Sequence, residues 1–318
     1  MTKKISAVIC TYNRYDLLDK AIESCLAQSM AKKHFEIIIV DNSPACPEIE
    51  IFAEKYANNR NVRYLIEPTP GLSNARNVAI RAAKSPIVAY LDDDAIADPD
   101  WLNQIVSAFD KFGASTAVVG GRIDPIWEVP RPAWLPDSLL GTLSVVNWGG
   151  SARIALPGEW VAGANISFRV SALEEIGGFD VALGRTGNGG SLMSNEESAV
   201  IEKLRSRGYE LVYAPAARVD HLVDTRRLSP EWIRRRQAWQ AVSDFLKAPD
   251  SFEGKEKAYW GVVARYMSKS SPRYRTPAGL FVDIEDREQF HEQVRATYCL
   301  VTLMLMGSSD VDNFVLDI

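Results

Sequence analysis

Ile87-Val88-Ala89-Tyr90-Leu91-Asp92-Asp93-Asp94 is the stretch on which the fold turns. Ile87–Leu91 is apolar without period-two alternation, and Pro86 stops the helical pattern before it. A strand of that kind is covered on both faces, as in a parallel sheet with helices on either side. The three carboxylates at its end repel one another and lose hydration, so they demand a counter-charge. An acidic triplet can also be a solvated turn or a helix N-terminus, but Asp98-Pro99-Asp100 already starts the next helix. With no capping work left for the triplet, a hard divalent cation, Mg²⁺ or Mn²⁺, explains it better.

Outward from this stretch, strand and helix patterns alternate. Ile5–Cys10, Glu36–Val40, Val62–Ile66 and Ala117–Gly121 read as further strands. Tyr15–Gln28, Pro47–Tyr56, Trp101–Phe112 and a segment from Gly71 to Ala83, with Ser73 as its N-cap, read as helices. The fold class is α/β, a largely parallel Rossmann-like sheet flanked by helices. From Arg122 to Trp160 prolines and tryptophans break the pattern. Helices return at Ser171–Ile176 and Asn195–Arg207, the latter closed by Gly208, and Tyr209–Tyr213 is another strand. Beyond Ser229-Pro230 the chain reads mostly helical, with strand alternation only at Phe281–Ile284, which sets a soft boundary near Leu228.

The 318 residues carry 36 Lys and Arg against 41 Asp and Glu, a net charge of −5 that gives no support for nucleic acid as a partner. Cys10, Cys25, Cys46 and Cys299 form no CxxC pair, which speaks against a zinc knuckle or a disulfide scaffold, and a reduced, cytoplasmic protein is expected. The apolar runs Ile5–Cys10 and Tyr298–Met306 are too short for a signal peptide or a membrane span, so any membrane contact is expected at the surface.

Ligands of open parallel sheets bind outside the carboxyl ends of the strands. After the first strand comes Thr11-Tyr12-Asn13-Arg14, with no glycine, which disfavours a dinucleotide site; after the second comes Asp41-Asn42-Ser43. Ser6–Arg14, Ile39–Ser43, Gly71–Asn77 and Tyr90–Asp94 together resemble glycosyltransferase family 2. Gly163–Arg169, Ile176–Asp180 and Asn195-Glu196-Glu197, followed by Leu204 to Gly208, extend the likeness across Ile5 to His221.

The resemblance implies a GT-A fold, a nucleotide-diphosphate sugar as donor, and inversion at the anomeric carbon. It divides residues 1–228 into a nucleotide-binding half, about 1–121, and an acceptor-binding half, about 122–228, followed by a mostly helical region, 229–318. Thr11, Tyr12, Asp41 and Arg76 match positions that hold the nucleobase, usually uracil, and Asp92 and Asp93 match ribose contacts. Asp94 matches the metal ligand, and His221 either completes the metal site or is a polar surface histidine. For Arg76 a surface salt bridge on its own helix is the other reading. Glu197 falls at the place of the catalytic base, which must take the proton of a high-pKa hydroxyl. Helix-dipole stabilisation fits Glu196 better, and Glu196 as the base stays open.

Gly163, Ala164 and Asn165 match the acceptor loop, and Trp160 just before it offers an indole face for a carbohydrate or lipid-linked carbohydrate acceptor. Gly184–Gly190 is either a lid over the donor or a surface loop, and Arg226, Arg227, Arg234, Arg235 and Arg236 form a basic cluster read as a solvated helix face, the other reading being attraction of a diphosphate or an anionic lipid surface. The expected activity is single-sugar transfer in glycan or polysaccharide biosynthesis. Two rivals stand beside it. A sugar nucleotidyltransferase would carry a Gly-rich basic loop after the first strand, and a carbohydrate-binding protein without catalysis would have no use for Glu197.

Overall fold

The computed structural model describes residues 3–44, 47–185, 192–272, 275 and 277–308. The strands are β1 (Ile5–Thr11), β2 (Phe35–Asp41), β3 (Val62–Ile66), β4 (Ile87–Asp92), β5 (Ala95–Ala97), β6 (Thr116–Trp127), β7 (Arg153–Ile154), β8 (Asn165–Arg169) and β9 (Glu210–Val223). The α-helices are α1 (Tyr15–Leu26), α2 (Pro47–Ala57), α3 (Leu72–Ala82), α4 (Trp101–Phe112), α5 (Val170–Glu175), α6 (Glu196–Ser206), α7 (Pro230–Lys247), α8 (Glu256–Lys269) and α9 (Arg287–Gly307). They fall into two compact units, one of Met1–Ile126, Ser144–Gly189 and Glu196–Leu222, the other of Trp127–Leu143, Gly190–Asn195 and Val223–Ile318.

The sheet runs β3-β2-β1-β4-β8-β6-β9-β5, with β7 on β9. β3, β2, β1 and β4 are parallel, whereas β8 joins β4 and β6 in antiparallel pairs, so the sheet is mixed beyond β4. The continuous apolar strands are explained by a core on each face. Ile5, Ala7 and Ile9 of β1 pack with Leu18, Ile22 and Trp101 on one side, and Val8 packs with Ala79, Phe168 and Leu204 on the other. Each such side chain taken out of water contributes about 1.5–3 kcal/mol.

Register aligns the functional ends. Thr11 is level with Asp41, and Cys10 with both Val40 and Asp92. The three-residue β5, which the sequence pattern hides, pairs Ala95 with His221, and the Leu222 N–H donates to the Asp94 carbonyl at 2.9 Å.

Several element ends differ from the sequence reading. The N-cap of α3 is Gly71 at φ 139°, not Ser73. That backbone strains any residue with a Cβ, so glycine makes the turn two residues earlier, and the buried Ser73 donates to the Leu183 carbonyl instead. β6 and β9 run on through Pro125 and Pro215, whose breaks in hydrophobic pattern conceal their full length. Gly208 does close α6, at φ 85°.

In the second unit, Ser229 caps α7 by accepting the Trp232 N–H, and Asp286 caps α9 by accepting the Gln289 N–H. Phe281 ends a short 3₁₀ turn, Pro277–Phe281, and among the described residues no strand follows β9. The basic cluster is not one solvated face, because Arg234 is buried and paired with Asp283 at 3.0 Å. Among the described residues no helix is long and apolar enough to cross a membrane.

Asn165, at the start of β8, is 1% exposed. Its amide donates to the carbonyls of Arg122 (3.0 Å) and Ala217 (2.7 Å) and accepts the Trp101 indole N–H (2.9 Å). Both its N–H groups are thus spent inside the sheet. Asn165→Ala is expected to lower the unfolding free energy by roughly 2–5 kcal/mol in urea titration, since each orphaned buried group costs about 1–3 kcal/mol. An unchanged midpoint with only a raised acceptor KM would hand Asn165 back to the substrate.

Candidate active site

Three carboxylates stand at the end of β4 because the sheet carries them there. The Thr11 hydroxyl donates to Asp93 at 2.8 Å. Arg14, leading into α1, answers the demand for counter-charge with Nη1 at 3.1 Å from Asp93 and Nη2 at 2.7 Å from Asp94. It enters at this angle because Asn13 takes φ 53°, a left-handed turn that Asn tolerates, with its N–H on the Ser43 hydroxyl at 2.9 Å. Burial, and then the neighbouring Asp94, push the Asp92 carboxyl above the usual carboxylate range. Burial also raises Asp93, against the pull of Arg14.

The pairing of β5 with β9 sets His221 Nε2 3.1 Å from Asp94 Oδ1. Asp92, Asp94 and His221 each offer a ligand atom, all within 4.8 Å of one another. His221 is 2% exposed, so the surface-histidine reading does not describe it, and its Nδ1 is buried without a hydrogen-bond partner among the described residues. Two carboxylates and one imidazole suit Mn²⁺, and Mg²⁺ with water making up the rest.

Asp41, at the end of β2, is fully buried and held from three directions. The Tyr15 hydroxyl donates to it at 2.9 Å, the Tyr64 hydroxyl donates to the same oxygen, and the Ser43 N–H donates to the other at 3.0 Å. Tyr12 is half-buried in the loop above. Neither Tyr15 nor Tyr64 was singled out by sequence reasoning. Arg14 was quoted there as part of the loop but given no role. The demand of the triplet for positive charge was the signal that could have identified it.

Arg76 lies elsewhere than a surface salt bridge. It is 2% exposed, with Nη1 3.2 Å from Glu196 and Nη2 2.9 Å from Glu197, both at the N-terminus of α6. Glu196 is buried and Glu197 keeps 16% side-chain exposure. Burial, and then Glu197, push the Glu196 carboxyl up, and Arg76 pulls it down. A Cβ on Gly163 would sit 2.2 Å from both Arg76 Nη2 and Glu197 Oε1, so this glycine lets the backbone rest on the pair. Asp92 feels His221, Arg76 and Glu197 electrostatically, which joins the two clusters.

Ala164 is buried beside Gly163, and Trp160 is 37% exposed, its ring edge-to-face with Trp148 at 6.2 Å. The Trp148 indole N–H donates to the Trp160 carbonyl at 2.8 Å and stiffens this corner. Of Gly184–Gly190, only Gly184 and Arg185 lie within the described residues.

Residues 6–176 match the family model described as glycosyl transferase family 2. The chain belongs to glycosyltransferase family 2. It is 27% identical over 243 residues to the glucosyl-dolichyl phosphate glucuronosyltransferase of Haloferax volcanii, covering 76% of each chain. It is 25% identical over 199 residues to the validoxylamine A glucosyltransferase of Streptomyces hygroscopicus subsp. jinggangensis, 55% of this chain and about half, 47%, of that enzyme. Among solved structures, a mannosyltransferase from Pyrobaculum calidifontis in complex with GDP-Man and Mn²⁺ superposes with TM-score 0.61 at 17% identity, covering 97% of this chain and 89% of that one. S. aureus TarS in complex with UDP superposes with TM-score 0.54 at 17% identity, covering 95% and 90%. The fold is GT-A and the protein is a glycosyltransferase, as the sequence motifs imply.

Proposed function

We propose that this glycosyltransferase moves one sugar, with inversion, from a UDP-linked donor to an acceptor hydroxyl with the help of Mn²⁺ or Mg²⁺. The observation that carries the reading is the convergence of Asp92, Asp94 and His221 within 4.8 Å, with the charges of Arg76 and Glu197 felt at Asp92. The donor nucleotide is assigned to residues of about 1–121, with Thr11, Tyr12 and Asp41 on the base and Asp92 and Asp93 on the ribose. Asp41 is oriented by Tyr15, Tyr64 and Ser43, and its Oδ1, which takes one donor, has a second lone pair for a pyrimidine ring N–H once the buried carboxylate is uncovered. Asp94 and His221 would hold the cation, with Asp92 shared between it and the ribose, and the cation when bound offsets the charge gathering on the departing diphosphate.

Glu197 takes the acceptor's proton as its oxygen attacks the anomeric carbon and the bond to the diphosphate oxygen breaks. One displacement of this kind inverts the centre. A carbohydrate or lipid-linked carbohydrate acceptor is assigned to about 122–228, where Trp160 supplies an exposed ring and Gly163-Ala164 the backbone beside Glu197.

Incubation with UDP-sugars, Mn²⁺ and candidate acceptors is expected to release UDP, and no release across the sugar panel would sink the donor class. In calorimetry with Mn²⁺, UDP is expected to bind at least about tenfold tighter than GDP, since one hydrogen bond to a charged group is worth roughly 1.5–3 kcal/mol. Equal affinities would remove Asp41 from the base.

Asp94→Asn keeps shape but loses charge, and is expected to abolish most of the gain in UDP affinity that Mn²⁺ gives the wild type while leaving metal-free binding near its original value. The same gain in both proteins would show that Asp94 is not a ligand.

Glu197→Gln is expected to cut turnover by about 10²–10⁴-fold with donor affinity unchanged, the usual range for losing a general base. Glu196→Gln is expected to cost far less, and a collapse in that variant alone would move the base one residue back.

A further inference from the structure

We propose that Arg76 is a positioning residue that aims Glu197, and that it does not read the nucleobase; the inference rests on Glu197 being the base. A guanidinium that stacks on a base needs a free face, and one that binds its carbonyl needs a free edge. Arg76 has neither. Its guanidinium carbon lies 5.6 Å from the centre of the Tyr90 ring and 5.3 Å from that of Phe179. Its two terminal nitrogens are taken by Glu196 and Glu197. The Tyr90 hydroxyl donates to the Arg76 carbonyl at 3.1 Å, which ties the arginine's backbone to the same wall.

The arrangement has the parts of a clamp. The planar fork spans two carboxylates at once, so the glutamate on one arm fixes the direction of the other. Glu196, with 5% side-chain exposure, is the fixed arm, and Glu197, with 16%, reaches the open side. Gly163 presses backbone against the junction, leaving no space for the Arg76 Nη2 and Glu197 Oε1 pair to swing that way. One oxygen of Glu197 is thereby anchored, and the carboxylate has a defined orientation from which to accept a proton. The resemblance to the family places Arg76 at the base; the geometry gives it to the catalytic carboxylate instead.

Arg76→Lys keeps the positive charge that the buried glutamates require, so the protein remains folded by circular dichroism, but one ammonium cannot hold two carboxylates in a plane. This variant is expected to lose about 10²-fold in kcat, the scale of a 1 Å misplacement of a reacting group. Its UDP affinity with Mn²⁺ and its donor KM are expected to stay within about threefold of wild type, the scatter of independent sites. In a Glu197→Gln background, the same substitution is expected to cost under about threefold, because no base remains to be aimed. Equal losses in the two backgrounds overturn the inference, since a purely structural residue is indifferent to the charge at position 197. A fall in UDP affinity beyond about tenfold also overturns it and returns Arg76 to the nucleotide. Full turnover in Glu197→Gln alone is a separate failure, one that removes the base assignment and the positioning role with it.

Discussion

The need to neutralise three aspartates at the end of a buried strand organises the first unit. Leu91 is buried in the sheet, and the chain leaves it directly into Asp92, Asp93 and Asp94. Carboxylates placed there stay ionised only if cations or N–H and O–H groups face them. Arg14 comes from the loop after β1 and His221 from β9, and each position is a consequence of register. Ala95 and Ala97 of β5 are buried in the core, and Ile96 between them is exposed. Their pairing with β9 delivers the imidazole.

The acidic pair at α6 meets the same constraint with a different solution. A helix N-terminus favours a carboxylate by some tenths of a kcal/mol, which is small against the loss of hydration on burial. Glu196 therefore depends on Arg76, and Arg76 on both glutamates. Removing Arg76 would leave two carboxylates without their shared counter-charge, the situation in which an ion pair becomes costly to break. Phe179 and Tyr90, themselves edge-to-face at 5.7 Å, wall one side of the guanidinium, and the Gly163 backbone lies against the Arg76–Glu197 junction.

The parallel half of the sheet was legible because β1, β2 and β4 are unbroken apolar runs separated by proline, glycine and polar turns. The antiparallel half was legible only in part: Ala117–Gly121 and Tyr209–Tyr213 read as strands, but prolines and charges conceal how far β6 and β9 run on, and β5 is too short for any period. In the site, the acidic triplet and His221 stood out by their place after a strand. Arg76 matched a motif, but its partners lie 120 residues away, and no local pattern encodes that pairing. Asn165 shows the opposite limit. An amide in a motif reads equally well as ligand or crosslink, and only the positions of Trp101, Arg122 and Ala217 decide that it is a crosslink.

The balance of charge explains why such a site suits the proposed donor only in company with a cation. Arg14, Arg76 and His221 pair with Asp93, Asp94, Glu196 and Glu197, and Asp92 adds a fifth carboxylate beside them. Burial pushes the carboxyls of Asp92, Asp93 and Glu196 up, which marks a place where further negative charge is unwelcome. A nucleoside diphosphate sugar is itself an anion, and on its own it would meet repulsion from the triplet. A divalent cation held by Asp94 and His221 would offset that repulsion. On the proposed reading, the excess of acid over base is what would make donor and metal bind together.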